Sequence, residues 1–190
     1  MGKAERRLFL KACRQKVFDE AGAEKSEMIM RRVLAFCANR RCKHVMCYVS
    51  AQSEVETHAL ICSLLSMGIL VSVPKCVSKT QMEAVCLSDF DDLKPGYFGI
   101  LEPEVVPEGA TDVPIDLCLV PGLGFSKTGG RIGYGAGFYD RFLAGFSGLK
   151  VGLAFEEQVL DHLHQDAFDQ GMHCIITDKR VVVCDSEESA

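Results

Sequence analysis

The residues from 121 to 140 are the part of the chain best suited to chemistry. Their sequence, PGLGFSKTGGRIGYGAGFYD, holds seven glycines together with Arg131 and Asp140. Glycines let backbone N–H groups approach an anion, an arginine neutralises phosphate oxygens, and an aspartate binds Mg²⁺ through carboxylate oxygen. The segment therefore indicates a phosphate-binding loop, with a glycine-rich structural turn as the alternative interpretation.

Three common motifs do not fit this segment. A Walker A loop needs a glycine directly before its Lys-Ser/Thr pair, but Ser126 precedes Lys127. The dinucleotide pattern GxGxxG fails because Phe138 occupies the position of its third glycine. The nucleophile elbow GxSxG is absent as well. The segment is therefore expected to be a phosphate loop of another type.

The elements on either side predict where this loop lies. The apolar run at 115–120 is typical of a buried strand, and residues 138–144 fit a short helix. In open α/β sheets, ligands bind beyond the carboxyl ends of the strands. We therefore expect the glycine-rich loop to border a ligand site at that edge of a sheet.

The rest of the chain alternates predicted helices and strands. Helices are expected at 3–20, at 26–38, and from a capping box at residues 53–56 to residue 67. Strands are expected at 45–49, 69–73, 82–87, 150–155, 174–177 and 181–184, with Pro74 stopping the second of them and loop over 88–114. This order predicts one α/β domain over residues 1–184 around a mainly parallel sheet, followed by an acidic tail at 185–190.

Composition excludes several classes of protein. Hydrophobic residues make up 48% of the 190 residues, which excludes a mainly disordered chain, and the net charge of −5 argues against a nucleic-acid-binding protein. No apolar run reaches the ~18 residues of a membrane span, and residues 1–10 lack the apolar core of a signal peptide. The ten cysteines form no CxxC pair, so reduced structural thiols in a cytoplasmic protein are expected.

The positive charge is concentrated near the start of the chain. Residues 1–43 hold 12 Lys and Arg against 5 Asp and Glu. On the predicted helix at 3–20, Lys3, Arg7, Lys11 and Arg14 lie within about 80° of one another at 100° per residue. Such an arc is ordinarily a solvated charged face.

Four shorter segments occur in a fixed order around the glycine-rich loop, and together they resemble one family. The central segment is similar to PGLxFDxxGxRLGxGxGYYD, a pattern of the 5-formyltetrahydrofolate cyclo-ligase family, also called 5,10-methenyltetrahydrofolate synthetase. Segment 3–7 (KAERR) resembles its KxxxR element, and segment 54–57 (EVET) resembles the element after its first strand. Segment 98–103 (FGILEP) and the pair Asp169 and Thr177 resemble two further elements.

The resemblance implies a fold and a reaction. The fold would be a three-layer α/β/α arrangement like that of phosphosugar isomerases and coenzyme A transferases. The reaction would convert 5-formyltetrahydrofolate to 5,10-methenyltetrahydrofolate, with ATP as co-substrate, Mg²⁺ as cofactor, and ADP and phosphate as products. The partners would be small molecules only, with no nucleic acid and no membrane. A monomer in the cytoplasm is expected, and a mitochondrial setting stays open.

The resemblance also implies roles for residues at matching positions. Glu54 and Arg131 would be catalytic, and Asp140 and Asp169 would bind the metal ion. ATP would contact Lys3, Arg7, Arg131, Gly133, Tyr134, Gly135, Ala136, Gly137, Phe138 and Tyr139. The folate would contact Glu54, Phe98, Tyr134, Gly135, Ala136, Gly137 and Phe138. Under this interpretation Lys3 and Arg7 leave the solvated face, whereas Lys11 and Arg14 remain on it.

The chain departs from the family pattern in places, and two other functions are considered. Ser126 replaces an aspartate, Phe138 a tyrosine, and Phe168 a histidine. The altered C-terminal element would fit a non-catalytic relative that binds nucleotide or a protein partner. A phosphosugar isomerase or acyl-transfer enzyme of similar architecture is the third hypothesis, and it would not need ATP.

Overall fold

A computed structural model describes residues 2–96, 99–104, 113–163 and 165–184. The helices are α1 (Lys3–Arg40), α2 (His58–Ser66) and α3 (Phe138–Leu143). The strands are β1 (His44–Met46), β2 (Leu70–Cys76), β3 (Met82–Leu87), β4 (Leu93–Pro95), β5 (Leu101–Pro103), β6 (Leu117–Val120), β7 (Gly124–Ser126), β8 (Arg131–Ile132), β9 (Leu149–Leu153), β10 (Val159–Leu160), β11 (Cys174–Ile176) and β12 (Val181–Val183). In the described part of the chain, no helix is long and apolar enough to cross a membrane.

Seven strands form the main sheet in the order β12-β11-β9-β6-β1-β2-β3. The five central strands are parallel to their neighbours, and the edge strands β3 and β12 are antiparallel. Because successive residues of a strand point to opposite faces, the central strands bury apolar side chains on both sides. The strands β7, β8 and β10 form a second, three-stranded sheet.

Two hydrophobic clusters cover the two faces of the main sheet. On one face, α1 and α2 pack on the sheet, and Ile29, Val33 and Leu60 are among the buried residues. On the other face, Leu143 of α3 and Phe125 of β7 pack against Cys118 and Ile175 of the sheet. The three-layer α/β arrangement with a mainly parallel sheet, predicted from the sequence, is confirmed.

The first helical region follows its prediction in part. We expected two helices separated around Gly22, and α1 consists of two helical segments that join at a kink beside that glycine. At the kink Ala21 has φ −153° and ψ 19°, outside the helical conformation. The two segments follow each other directly, without the loop expected between residues 20 and 26.

The strand β2 continues through Pro74, which we expected to end it. Pro74 lies opposite Ala84 in the antiparallel pairing with β3. The parallel pairing of β2 with β1 reaches only as far as Ser72. Beyond Ser72 the strand therefore has an unpaired side, where a residue without an N–H group is tolerated.

The predicted capping box at residues 53–56 is also wrong. The helix α2 begins at His58, and residues 53–57 form the loop before it. Thr57 and Ser50 fix this loop instead, since each backbone N–H donates to the other's hydroxyl, at 2.9 and 3.0 Å. The Ser53 hydroxyl accepts from Arg14 and does not cap the helix.

The close approach of Phe125 to Gly152 in β9 leads to a stability prediction. A Cβ atom at Gly152 would lie 2.5 Å from the Phe125 ring, which is fully buried. Overpacking of this kind typically costs about 1–3 kcal/mol. Gly152→Ala is therefore expected to lower the free energy of unfolding by that amount in urea titrations. Gly145→Ala, where a Cβ meets open space, is the control, and equal stability of the two variants would contradict the prediction.

Candidate active site

A cleft of about 1490 Å³ opens beyond the carboxyl ends of β1 and β6. Its wall includes the start of α1, the loop after β1, residues 99–102, the glycine-rich loop after β8, and residues 166–170. Strands that run parallel end at one edge of the sheet, so the loops after them meet there. The cleft lies where the sequence predicted a ligand site.

The glycine-rich loop is held in shape by backbone conformation and by one arginine. Gly135 and Gly137 have φ of 105° and 71°, in the left-handed region that side chains rarely adopt. Arg141 donates to the carbonyl of Ala136 at 2.7 Å and to the carbonyl of Thr80 at 2.6 Å. The loop is thereby fixed both by its own conformation and by a contact with the turn before β3.

The loop's arginine and aspartate pair with each other. Arg131 Nη2 donates to Asp140 Oδ1 at 2.7 Å, and the Gln170 backbone N–H approaches the same oxygen at 3.3 Å. Arg131 is almost fully buried, and its Nη1 donates to the carbonyl of Pro121 at 3.3 Å. The guanidinium lies 5.7 Å from the Tyr139 ring centroid. A buried, oriented cation of this kind can meet phosphate oxygens.

Two more of the predicted cations, Lys3 and Arg7, line the cleft from the start of α1, together with Arg6. Lys3 forms an ion pair with Asp166, and its Nζ lies 3.9 Å from Asp169 Oδ2. Arg7 Nε donates to the carbonyl of Gly133 at 3.1 Å. Three of the cations predicted to bind phosphates are thus placed around one cleft, two of them with carboxylates as partners.

Glu54 lies in the loop after β1 with its carboxylate in a buried position. Glu54 Oε1 accepts from the Tyr134 hydroxyl at 2.7 Å, and Oε2 accepts from the Ala51 backbone N–H at 2.9 Å. Burial raises the pKa of the Glu54 carboxyl above its ordinary value, although the two hydrogen bonds and the charge of Arg14 oppose that shift. A carboxyl group with a raised pKa beside a cleft is suited to proton transfer.

The structure places nearly every sequence-predicted site residue in this cleft. Its lining includes Lys3, Arg7, Glu54, Arg131, Gly133, Tyr134, Gly135, Ala136, Gly137, Phe138, Tyr139, Asp140 and Asp169. Phe98, predicted to stack on the folate, lies outside the described residues, while its neighbours Gly99 and Ile100 line the cleft. The roles of all these residues remain predictions.

The expectation that Arg14 stays on a solvated face is wrong. Lys11 is exposed as expected, but the side chain of Arg14 is buried between α1 and the loops of the site. It contacts Ser53, Gly122 and the ring of Tyr134. The helical spacing could not separate the two residues, because Lys11 and Arg14 both share a helix face with Arg7.

Asp140 and Asp169 are the two carboxylates predicted as metal ligands, and both line the cleft. Among the residues that the structure describes, no three His, Cys, Asp or Glu side chains converge. Mg²⁺ in phosphate-transfer sites commonly takes one or two carboxylates, with phosphates and waters as the remaining ligands. The donor set is therefore consistent with an ion that binds together with a nucleotide.

The fold and the cleft define an α/β protein of the three-layer class, with a glycine-rich loop bordering a cleft at the carboxyl ends of parallel strands. The model of the 5-formyltetrahydrofolate cyclo-ligase family matches residues 1–178. The chain therefore belongs to the 5-formyltetrahydrofolate cyclo-ligase family.

Individual relatives cover nearly the whole chain. A probable 5-formyltetrahydrofolate cyclo-ligase of Caenorhabditis elegans is 29% identical, with 97% of this chain and 96% of that protein aligned. The 5-formyltetrahydrofolate cyclo-ligase of Saccharomyces cerevisiae is 32% identical over 81% of this chain and 84% of its own length. The NMR structure of 5,10-methenyltetrahydrofolate synthetase from Aquifex aeolicus superposes with a TM-score of 0.85 at 30% identity, covering 100% of this chain and 96% of that one.

Proposed function

We propose that this protein converts 5-formyltetrahydrofolate to 5,10-methenyltetrahydrofolate, with ATP consumed to ADP and phosphate. The observation that carries the proposal is the convergence of Lys3, Arg7 and Arg131 with Glu54 around one cleft. Cations suited to phosphates and a buried carboxyl suited to proton transfer thus share a site. Membership of the cyclo-ligase family supports the same reaction.

The chemistry follows from the weakness of an N-formyl group as an electrophile. Transfer of the γ-phosphoryl group of ATP to the formyl oxygen turns that oxygen into a leaving group and releases ADP. N10 then attacks the formyl carbon, N10 loses its proton, and the C–O bond breaks to release phosphate. Phosphoryl transfer depends mainly on positioning and charge neutralisation, so no protein nucleophile is required.

The cations of the cleft would take phosphate oxygens as additional partners when ATP binds. In the structure Arg131 pairs with Asp140, and Lys3 pairs with Asp166. Arg131 would stay oriented by Asp140 and neutralise the oxygens of the transferred phosphoryl group. The backbone of residues 133–139 and the Arg7 side chain would border the phosphates.

Glu54 would receive the proton that N10 loses. Its carboxylate is oriented by two hydrogen bonds, and burial raises its pKa toward the range in which a group can both take and release a proton. We place the reacting end of the folate beside Glu54 and Tyr134. The rest of the folate would extend along the cleft wall formed by residues 99–102.

Asp140 and Asp169 would hold Mg²⁺ together with the phosphates. The ion supplies positive charge at the phosphate oxygens. Asp140→Asn is expected to raise the Mg²⁺ concentration for half-maximal turnover by at least about tenfold, because weakening even an outer partner of a metal site costs 10–100-fold in affinity. The asparagine oxygen can still accept from Arg131, so the fold should be kept.

Initial rates measured over a range of Mg²⁺ concentrations give the concentration for half-maximal turnover. Calorimetry of Mn²⁺ binding in the presence of ADP measures metal affinity without turnover. Asp161→Asn is the control, since Asp161 is exposed and pairs with Lys127 outside the cleft. An unchanged Mg²⁺ requirement in Asp140→Asn would contradict the metal assignment.

The direct test of the proposed function is the absorbance of the methenyl product. Purified protein, 5-formyltetrahydrofolate, ATP and Mg²⁺ should give the product band, and omission of ATP should abolish it. Absence of ATP-dependent product at micromolar protein would overturn the proposal. If calorimetry then showed ATP binding, the non-catalytic alternative would be favoured.

We further propose that the protein acts as a cytoplasmic monomer, without nucleic-acid or membrane partners.

A further inference from the structure

Arg14 is a buried cation with an incomplete set of partners. Its residue exposure is 1%, and no carboxylate forms an ion pair with it among the described residues. Nε donates to the Ser53 hydroxyl at 3.3 Å and Nη1 to the Gly122 carbonyl at 3.2 Å. Nη2 is buried with no hydrogen-bond partner in the part of the chain that the structure describes. Burial of a charge without a close counter-ion is costly, so its presence calls for an explanation.

The contacts of Arg14 lead to Glu54 by two routes. The guanidinium carbon lies 5.4 Å from the centroid of the Tyr134 ring, and the Tyr134 hydroxyl donates to Glu54 Oε1. On the other side, Arg14 holds the hydroxyl of Ser53, the residue directly before Glu54. One side chain of α1 thus contacts both segments that determine where the Glu54 carboxylate lies.

We propose that Arg14 is a positioning residue for the ring closure: it fixes Glu54 through Tyr134 and Ser53, and it supplies positive charge to the surroundings of that buried carboxylate. The inference rests on the proposed function, in which Glu54 takes the N10 proton. It adds a residue to the reaction that does not line the cleft and need not touch the substrate.

The electrostatic surroundings of Glu54 support this role. Titratable groups of the described residues that interact with it include Arg14 from α1, Tyr48 after β1, Tyr134 from the glycine-rich loop and Tyr139 from α3. Burial raises the pKa of each tyrosine, so all three hydroxyls are neutral at physiological pH. Arg14 is the cation of this group, and its charge favours the ionised form of Glu54.

A role in anchoring the turn after β6 does not by itself explain why a charged side chain is buried at position 14. The Gly122 carbonyl, which Arg14 contacts, also accepts from Gln158 Nε2 at 3.0 Å. The same amide donates to the carbonyl of Leu123 at 3.1 Å. The turn after β6 is therefore anchored independently of Arg14. Ser26 and Arg7 of α1 hold the neighbouring backbone at Glu56 and Gly133. Arg14 differs from them in contacting the side chains of Ser53 and Tyr134 themselves.

The test compares Arg14→Met, Arg14→Lys and the exposed control Lys11→Met in pH profiles of kcat/KM. In Arg14→Met we expect a loss of about tenfold at pH 8 and a larger loss at pH 6, because fewer Glu54 carboxylates are ionised at the lower pH. Arg14→Lys keeps the charge and should lose about tenfold at both pH values. The KM for ATP should stay within about twofold of wild type, and Lys11→Met should match wild type throughout.

A loss in Arg14→Met that is equal at pH 6 and pH 8 would overturn the electrostatic part of the proposal, and wild-type kcat in both variants would overturn it entirely. If Arg14→Met does not fold, the kcat of Arg14→Lys decides alone. Titration of Glu54 by carbon NMR without substrate separates this inference from the proposed function. In that measurement the Glu54 carboxyl of Arg14→Met should titrate at higher pH than the Glu54 carboxyl of the wild-type protein. This result is expected whether or not the wild-type protein turns over 5-formyltetrahydrofolate.

Discussion

Arg131→Met is expected to lower the kcat of ATP-dependent ring closure by about 10³-fold, the lower end of the range for arginines that stabilise phosphoryl transfer. Arg131 is nearly buried and oriented by the Pro121 carbonyl and Asp140, so its charge is in place before the nucleotide binds. A preorganised cation stabilises the charge that develops on the transferred group at little reorganisation cost. Single-turnover kinetics at saturating ATP and folate measures this loss without a contribution from product release.

Two variants separate catalysis from stability in this experiment. Removing Arg131 leaves Asp140 without its ion-pair partner, and breaking a buried pair can cost about 3–5 kcal/mol of stability. Arg131→Lys keeps a charge but loses the planar fork, so an intermediate loss of kcat is expected with a native thermal transition. Lys127→Met lies on the same hairpin with an exposed side chain and is the control. If kcat of a folded Arg131→Met protein fell by less than tenfold, Arg131 would have no role in stabilising the transition state.

Glu54→Gln is expected to lower kcat by about 10²- to 10⁴-fold, the usual range for loss of a general acid–base group. The amide oxygen can still accept from Tyr134 or Ala51, so the loss should come from the missing proton acceptor and not from the missing contacts. In the wild-type protein, kcat/KM should decrease toward acid pH with an apparent pKa above the ordinary pKa of a glutamate, because burial raises the pKa of Glu54. That limb should be absent from Glu54→Gln.

The same substitution should stabilise the ligand-free protein near neutral pH. Because the pKa of Glu54 is higher in the folded than in the unfolded chain, the folded state holds the proton more tightly. The ionised carboxylate therefore costs stability above its folded pKa, and the cost disappears as pH falls below the unfolded value. The melting temperature of Glu54→Gln should be higher than that of the wild-type protein at pH 8, and the difference should shrink toward pH 4.

Glu56→Gln provides the matched control for both effects of Glu54→Gln. Glu56 lies two residues further on with a half-exposed side chain, and it accepts from the His58 backbone N–H. A glutamine can make the same contact. If Glu56→Gln lost as much activity as Glu54→Gln, the role of Glu54 would be one of loop geometry and not of proton transfer.

Much of the fold followed from local patterns along the chain. The strand predicted at 82–87 coincides with β3, and the helix predicted at 138–144 lies within one residue of α3. The spacing of the apolar residues in these two short runs was enough to identify them. Pro74 was misjudged because its effect depends on whether a neighbouring strand needs its N–H group, which is a property of the sheet and not of the strand.

The sequence alone determined the chemical content of the site. The spacing of glycines around Arg131 and Asp140 identified the loop, because anion contact by backbone N–H groups depends on residues that are neighbours in the chain. Only the tertiary structure decided that Arg14 is buried and that Glu54 bonds to Tyr134, 80 positions along the chain. Whether a charged helix face meets water or protein depends on what packs over it. A helical pattern specifies which residues share a face, but the assembled loops after β1, β6 and β8 determine which of them reach the site.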